Sequence, residues 1–389
     1  MSSTDPGPIA TKVPAAAAPG AGLEGVVAAK SEICFIDGVA GRLVYRGYEI
    51  GDLVENASFE EVAHLLWDDK LPTRQELARL RAQLADAMTV PPHVVELLRA
   101  LPKTTQPMDA LRTAASALAA GDPDLADNSP EANRRKAVRL TARFPVVVAT
   151  FHRLRGGQPP IAPDRNLGIA ANFLYTLQGA RANDTLVRVM DAALVLHAEH
   201  GMNASTFAAR VTAATLADLH AAVTAAVAAL KGPLHGGANQ DVMELLLQCT
   251  DPADAEAKVR AKLANKEKIP GFGHRVYKTF DPRAAFLRKM SRQLGEAAGN
   301  TTWYEMSERL IPVARELKNL NPNVDFFSAS TYYTMGIPLD LFTPIFAIAR
   351  VAGWTAHVME QHRNNRIIRP TDDYVGAFDR KVLPIDQRG

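Results

Sequence analysis

Residues 204–231 read ASTFAARVTAATLADLHAAVTAAVAALK, and this stretch decides the fold class. Alanine loses no side-chain entropy in a helix and presents almost no bulk at a contact, so such a run favours helices that approach closely. Two helices are expected, over 204–217 and 218–231, that pack closely or are buried. Moving outward, the remaining chain repeats the helical signature rather than the period-two alternation of strands. Of 389 residues, 47% are hydrophobic and only 6% aromatic, a composition of packed helices.

Start signals recur along the chain. Ser58 with Glu61 and Thr73 with Glu76 match the capping-box spacing. Pro92, Pro107 and Pro130 mark three more helix starts, the last helix running toward Gly156 with a bend expected at Pro145. Further helices are expected over 184–200, 283–298, 302–318 and 338–361. Before them, residues 33–48 (ICFIDGVAGRLVYRGY) alternate around Asp37-Gly38 and predict a short β-hairpin, the one sheet expected. No repeat of 20 to 50 residues occurs, which excludes a solenoid.

The fold class is therefore mainly α, multi-helical, with a short N-terminal β-hairpin. Turns at Gly232, Pro233 and Gly236 and at Asn321, Pro322 and Asn323 bracket a middle segment. They divide the chain into a flexible tail over 1–20, a large domain over 21–234 and 331–389, and a small domain over 235–330.

Forty-four Lys and Arg against 42 Asp and Glu leave a net charge of +2, too small for a general nucleic-acid surface. Cys34 and Cys249 are too few for a disulfide framework. No apolar run of bilayer length is expected, and the Ala- and Pro-rich tail lacks a signal core, so the expected location is cytoplasmic. Gly20, Gly22 and Gly25 spell G-x-G-x-x-G without the strand and helix that a nucleotide site needs.

Four segments concentrate polar groups. In HAEHGMNASTF (197–207), His200 ends a helix, where it could simply complement the helix dipole. In GPLHGGANQ (232–240), His235 is held between a proline and two glycines. In IPGFGHRVYKTFDPR (269–283), glycines place His274 on an ordered loop, and Asp281 and Pro282 start a helix with Arg283 in its first turn. Arg283 beside free helix N–H groups implies a carboxylate or phosphate ligand. In NVDFFSASTYY (323–333), Asp325 either caps a helix or, if enclosed by apolar groups, becomes a general base through a raised pKa. His197 with His200, and His357 with His362, lack metal-ligand spacing, so no metal is expected.

Taken in order, these segments resemble the citrate synthases. The resemblance runs from Gly22 to Gly376 and is carried by GLEGVVAAKSEICFIDG, LVYRGYEI, GPLHGGANQ, GFGHRVYKTFDPR and FTPIFAIARVAGWTAHVMEQ. It is closest to the compact bacterial and archaeal type, which includes 2-methylcitrate synthases. It implies a helical homodimer whose two domains close over acetyl-CoA, or propionyl-CoA, and oxaloacetate, with no cofactor. By motif, Asp325 matches the base that deprotonates acetyl-CoA, His235 the donor to the thioester oxygen, and His274 the residue on the oxaloacetate ketone. His200, Arg283 and Arg350 match oxaloacetate ligands, and Arg369 matches an arginine supplied across the dimer. Ile269, Gly271 and Gly273 match the adenine-binding loop of CoA, with Lys278 placed for a phosphate. Thr371 departs from the family pattern of a further basic residue after Arg369. Phe326 to Ser330 are expected to shape the acyl pocket.

Overall fold

The computed structural model describes residues 21–23 and 25–388, so the expected tail over 1–20 lies outside the described residues. In the alanine-rich stretch, helices Ala204–Ala213 and Leu219–Leu230 pack on each other more extensively than any other pair among the described residues. Ala209, Ala213, Ala222 and Ala226 are buried, which is the close approach that small side chains allow. The first helix stops four residues before the expected 217. Leu216 turns left-handed at φ 65°, and Asp218 then accepts the Ala221 N–H to cap the second helix. The 184–200 helix likewise ends early, spanning Asp184–His197.

Both capping boxes form: Glu61 Oε2 accepts the Ser58 N–H at 2.9 Å, and Glu76 Oε2 accepts that of Thr73 at 2.8 Å. Helices begin at Pro92, Pro107 and Pro130, and the last continues through Pro145 to Arg155. The hairpin forms from β1 (Cys34–Asp37) and β2 (Arg42–Tyr45), in antiparallel register with Asp37 opposite Arg42. A third strand, β3 (Tyr48–Glu49), joins through a tight turn at Gly47, φ 88°, making a three-stranded sheet rather than a hairpin alone. Sixteen α-helices are found among the described residues. Residues 33–388 form one compact unit.

The apolar-run expectation needs correction. Leu339–Arg363 is long and apolar enough to cross a bilayer, yet its central residues, 341–358, are all buried within the protein. Its principal helix, Phe342–Arg363, packs against helices Phe59–Asp68, Pro130–Arg155, Asp184–His197, Ala204–Ala213 and Leu219–Leu230. Its apolar residues are spread over every face because the helix is surrounded by others. Trp67 ties to it, donating its indole N–H to Ala352 O at 3.0 Å and Thr355 Oγ1 at 2.8 Å. At Gly353 the helix passes so near residues 198–199 that a Cβ would stand 2.2 Å from Glu199 Oε2 and 2.4 Å from Ala198 O.

Candidate active site

Besides the 232–240 turn that carries His235, three chain segments meet beside this central helix. The first is the turn from His197 into helix Ala204–Ala213, which Asn203 caps by accepting the Thr206 N–H at 3.1 Å. Ser205 lies in the first turn of that helix, with Oγ 2.8 Å from His235 Nε2 and its backbone N–H donating to the same nitrogen at 3.3 Å. A ring nitrogen that accepts a backbone N–H carries the lone pair, so neutral His235 bears its proton on Nδ1. Trp354 holds Ser205 in turn, its indole N–H donating to Oγ at 3.1 Å. Burial, reinforced by the Arg350 charge, lowers His235 to about 4.

The second segment is the loop leading to Asp281. Gly271 and Gly273 have φ of 76° and 78°, the left-handed region that glycine enters without strain. A Cβ at Gly271 would also strike Val242 Cγ2 at 2.6 Å and Phe326 Cδ2 at 2.9 Å. His274 Nδ1 accepts the backbone N–H groups of Val276 and Tyr277 at 3.0 and 3.1 Å. This fixes the opposite tautomer from His235, with the proton on Nε2. Burial and the nearby Arg283 charge lower His274 to about 4 as well. Its ring meets that of His200 edge-on at 5.1 Å, and His200 Nε2 lies 3.2 Å from Tyr277 Oη. Burial, then Arg283, holds His200 well below its ordinary value.

The third segment supplies Asp325. The loop is stitched to it: Asn321 O accepts the Gly273 N–H at 2.9 Å, and Asn323 donates to Gly271 O and Gly273 O at 2.9 Å each. Asn323, not Asp325, caps helix Val324–Thr334, so the capping alternative for Asp325 fails. Asp325 stands in the first turn with Oδ1 buried and without a protein partner. The helix N-terminus favours an ionised carboxyl there, but burial dominates and raises Asp325 to about 7 despite Arg283 and Arg350 nearby.

The two buried arginines differ. Arg283 does not stand beside free N–H groups as expected; Nε and Nη2 donate to Asp281 at 2.9 and 2.7 Å, leaving Nη1 outside the pair. Burial would weaken the Arg283 charge, but Asp281 outweighs this and raises its pKa further. Arg350 donates Nε–H to His197 O at 2.7 Å, stacks on Phe346 at 4.6 Å, and leaves Nη2 without a partner. Two fixed guanidinium groups with free donors can receive a dicarboxylate.

His200, His235, His274, Arg283, Arg350 and Asp325 thus share one buried region. Arg369 is not brought into it: it lies exposed on the segment after the central helix. Lys278 is exposed beside a cavity of about 180 Å³ lined by Gly273, His274, Tyr277, Asp281 and Asn321. The Ile269 side chain is buried, so only its main chain is left to meet a ligand. Sequence reasoning passed over Ser205 and Tyr277, and weighed His197 only as a metal ligand. His197 donates Nδ1–H to Ala193 O at 2.8 Å and buries an unpartnered Nε2. Its place in the first polar segment is the signal that could have found it. Among the described residues no cluster of three or more His, Cys, Asp or Glu could hold a metal ion.

Comparison with known proteins bears on the family and the fold. Residues 22–371 match the family model "Citrate synthase, C-terminal domain". Citrate synthase 2 of Bacillus subtilis is 50% identical over 94% of this chain and 98% of its own length. The 2-methylcitrate synthase of Shewanella oneidensis is 45% identical over 95% of this chain and 98% of its own. The structure of citrate synthase from Thermoplasma acidophilum, in ternary complex with carboxymethyl coenzyme A and oxaloacetate, superposes with a TM-score of 0.89 at 33% identity, covering 94% of this chain and 98% of that one. With its family model matched over nearly the whole length and its relatives so close, the chain belongs to the citrate synthase family.

Proposed function

We propose that this acyltransferase condenses acetyl-CoA with oxaloacetate and water, giving citrate and free CoA. The observation that carries the proposal is the buried, unpartnered oxygen of Asp325, raised to about 7 and set among neutral histidines of opposite tautomer. Asp325 removes a proton from the acetyl methyl group. The enolate oxygen that develops accepts a hydrogen bond from His235 Nδ1–H, a donor already in place and therefore effective without reorganisation. His274 Nε2–H polarises the ketone of oxaloacetate and protonates that oxygen as the carbon–carbon bond forms. His200, Arg283 and Arg350 hold the two carboxylates, and water then cleaves the citryl thioester.

CoA is proposed to lie along the main chain of Ile269, Gly271 and Gly273, with Lys278 near a phosphate. The segments 21–234 with 331–389 and 235–330 act as a large and a small domain closing over the substrates. Arg369 completes the site of the partner subunit in a homodimer. Exposed Ile367, Tyr374, Val375, Phe378, Val382 and Ile385 flank and follow Arg369, and such a run of apolar surface supports burial against a second copy.

The same geometry serves propionyl-CoA, and a relative named 2-methylcitrate synthase is 45% identical. One methylene changes binding by only about 1–3 kcal/mol, so the reading is tested by comparing kcat/KM for the two thioesters with oxaloacetate. The larger value is expected with acetyl-CoA; a clear propionyl-CoA preference would replace the proposal with 2-methylcitrate synthesis.

A further inference from the structure

The turn between β1 and β2 is folded onto the loop that carries His274. Lys278 donates its backbone N–H to Gly38 O at 2.8 Å. A Cβ at Gly38 would lie 2.2 Å from Val276 O and 2.8 Å from its carbonyl carbon, so only glycine fits there. A second glycine, Gly41, has φ 68° and faces the same loop, where a Cβ would meet Thr279 Cγ2 at 3.0 Å and Phe280 O at 3.1 Å. Asp37 Oδ1 fixes the turn by accepting the N–H groups of Val39 and Ala40 at 2.9 and 2.8 Å.

The contacted peptides are those that orient His274. Val276 N–H and Tyr277 N–H both donate to its Nδ1, while the Val276 carbonyl rests on Gly38 and the next N–H, that of Lys278, is bound by Gly38 O. The sheet reaches the His200 segment too. Tyr45 donates its hydroxyl to Glu199 O at 2.7 Å, and Ile36 Cδ1 lies 3.3 Å from where a Gly201 Cβ would stand. Backbone atoms have no rotamers to absorb a clash, so a side chain at 38 must displace the Val276 peptide. That displacement breaks the pair of N–H donors on Nδ1.

We propose that the β1–β2 turn, with Gly38 at its contact point, positions His274 by clamping the 276–278 backbone that fixes its Nε2–H tautomer and ring orientation. Gly38 is a positioning residue, acting through Val276 and Lys278. The inference rests on the reading above that His274 serves the ketone.

The test is Gly38→Ala in the full chain, with folding checked by circular dichroism, steady-state kinetics with both substrates, and 15N NMR of histidine-labelled protein. The His274 signals are assigned by their loss in His274→Asn. The expected result is loss of the Nε2–H pattern of His274 and a fall in kcat of roughly 10- to 100-fold, the scale of a misplaced catalytic group, with KM for acetyl-CoA little changed. Asp37→Ala loosens the turn without a clash and should shift both readouts in the same direction by less; it decides the question if Gly38→Ala does not fold. Val39→Ser at the exposed tip should change neither. Retention of the tautomer pattern in folded Gly38→Ala, or in Asp37→Ala if that variant decides, overturns the proposal whatever happens to kcat. Loss of the pattern with kcat intact upholds the clamp and removes His274 from the proposed chemistry.

Discussion

Asp281 and Arg283 form a buried ion pair whose carboxylate has a second duty. Besides taking the guanidinium through Nε and Nη2, Asp281 Oδ2 accepts the Val324 N–H at 3.1 Å. One side chain therefore joins helix Pro282–Ala297 to helix Val324–Thr334, one residue before Asp325. Removing one partner of a buried pair strands the other charge at a cost of about 3–5 kcal/mol. Asp281→Ala is expected to lose stability on that scale in thermal or urea unfolding and to raise KM for oxaloacetate. Asp281→Asn should lie between it and the wild type.

Activity is expected to follow one ionisation on the acid side. Asp325 must be charged to accept a proton, and its pKa is about 7. The logarithm of kcat/KM should then rise with unit slope below that pH and level off above it, a change of about tenfold per pH unit. His235 and His274, each lowered to about 4, stay neutral throughout this limb and add no second step. A slope of two in the pH profile would contradict this assignment.

Stability should depend on the same carboxyl with the opposite preference. Native Asp325 holds its proton up to about 7, against an ordinary value of 3.8, so the native chain binds more protons in that window and stability falls as pH rises through it. The contribution is complete below the ordinary value and lost above the native one. Asp325→Asn is expected to flatten the curve and to exceed the wild type in stability at pH 8, by at most about 4 kcal/mol at ~1.4 kcal/mol per unit. Its activity should fall at least roughly 10²-fold. Denaturant titrations across pH measure the first effect and turnover the second.

Ser205→Ala removes the hydroxyl beside His235 Nε2 and leaves the backbone N–H, so the tautomer preference weakens without vanishing. A loss of roughly 10-fold in kcat is expected, as for a general acid or hydrogen-bond donor that is partly misdirected. KM for oxaloacetate should change little. Steady-state kinetics with each substrate varied in turn measures the split.

Arg369→Ala is expected to weaken oxaloacetate binding while the fold persists, because the side chain is exposed within its own chain. Mixing it with Asp325→Ala should restore some activity through hybrid dimers in which one site has both residues. No recovery after verified subunit exchange would argue against a shared site.

What could be read from the sequence was local. Ser58 with Glu61 and Thr73 with Glu76 are three residues apart, and their caps depend on nothing beyond one helical turn. Asp281-Pro282 likewise announces its helix. The polar segments were visible because glycine and proline interrupt helices around them. Missed features need partners distant in the chain: Ser205 gains its meaning from His235 and from Trp354, 149 residues away. The early end of helix Ala204–Ala213 depends on a left-handed Leu216 that no propensity scale flags. The burial of residues 341–358 depends on helices distant in the chain, from Phe59–Asp68 to Leu219–Leu230, so their composition alone resembles a membrane span.

The close pass at Gly353 has a consequence for how this chain can diverge. With a Cβ 2.2 Å from Glu199 Oε2, and Glu199 Oε1 engaged by His357 at 3.0 Å, no lateral shift of the carboxylate is free. The helix bearing Arg350 and the turn bearing His200 are thereby kept in contact at a point with no room for a methyl group. In a library of all single substitutions, position 353 should be among the least permissive in the chain, although it carries no functional group. A homologous sequence with a larger residue there should be read as having moved the turn, and its substrate pocket should not be inferred from this one.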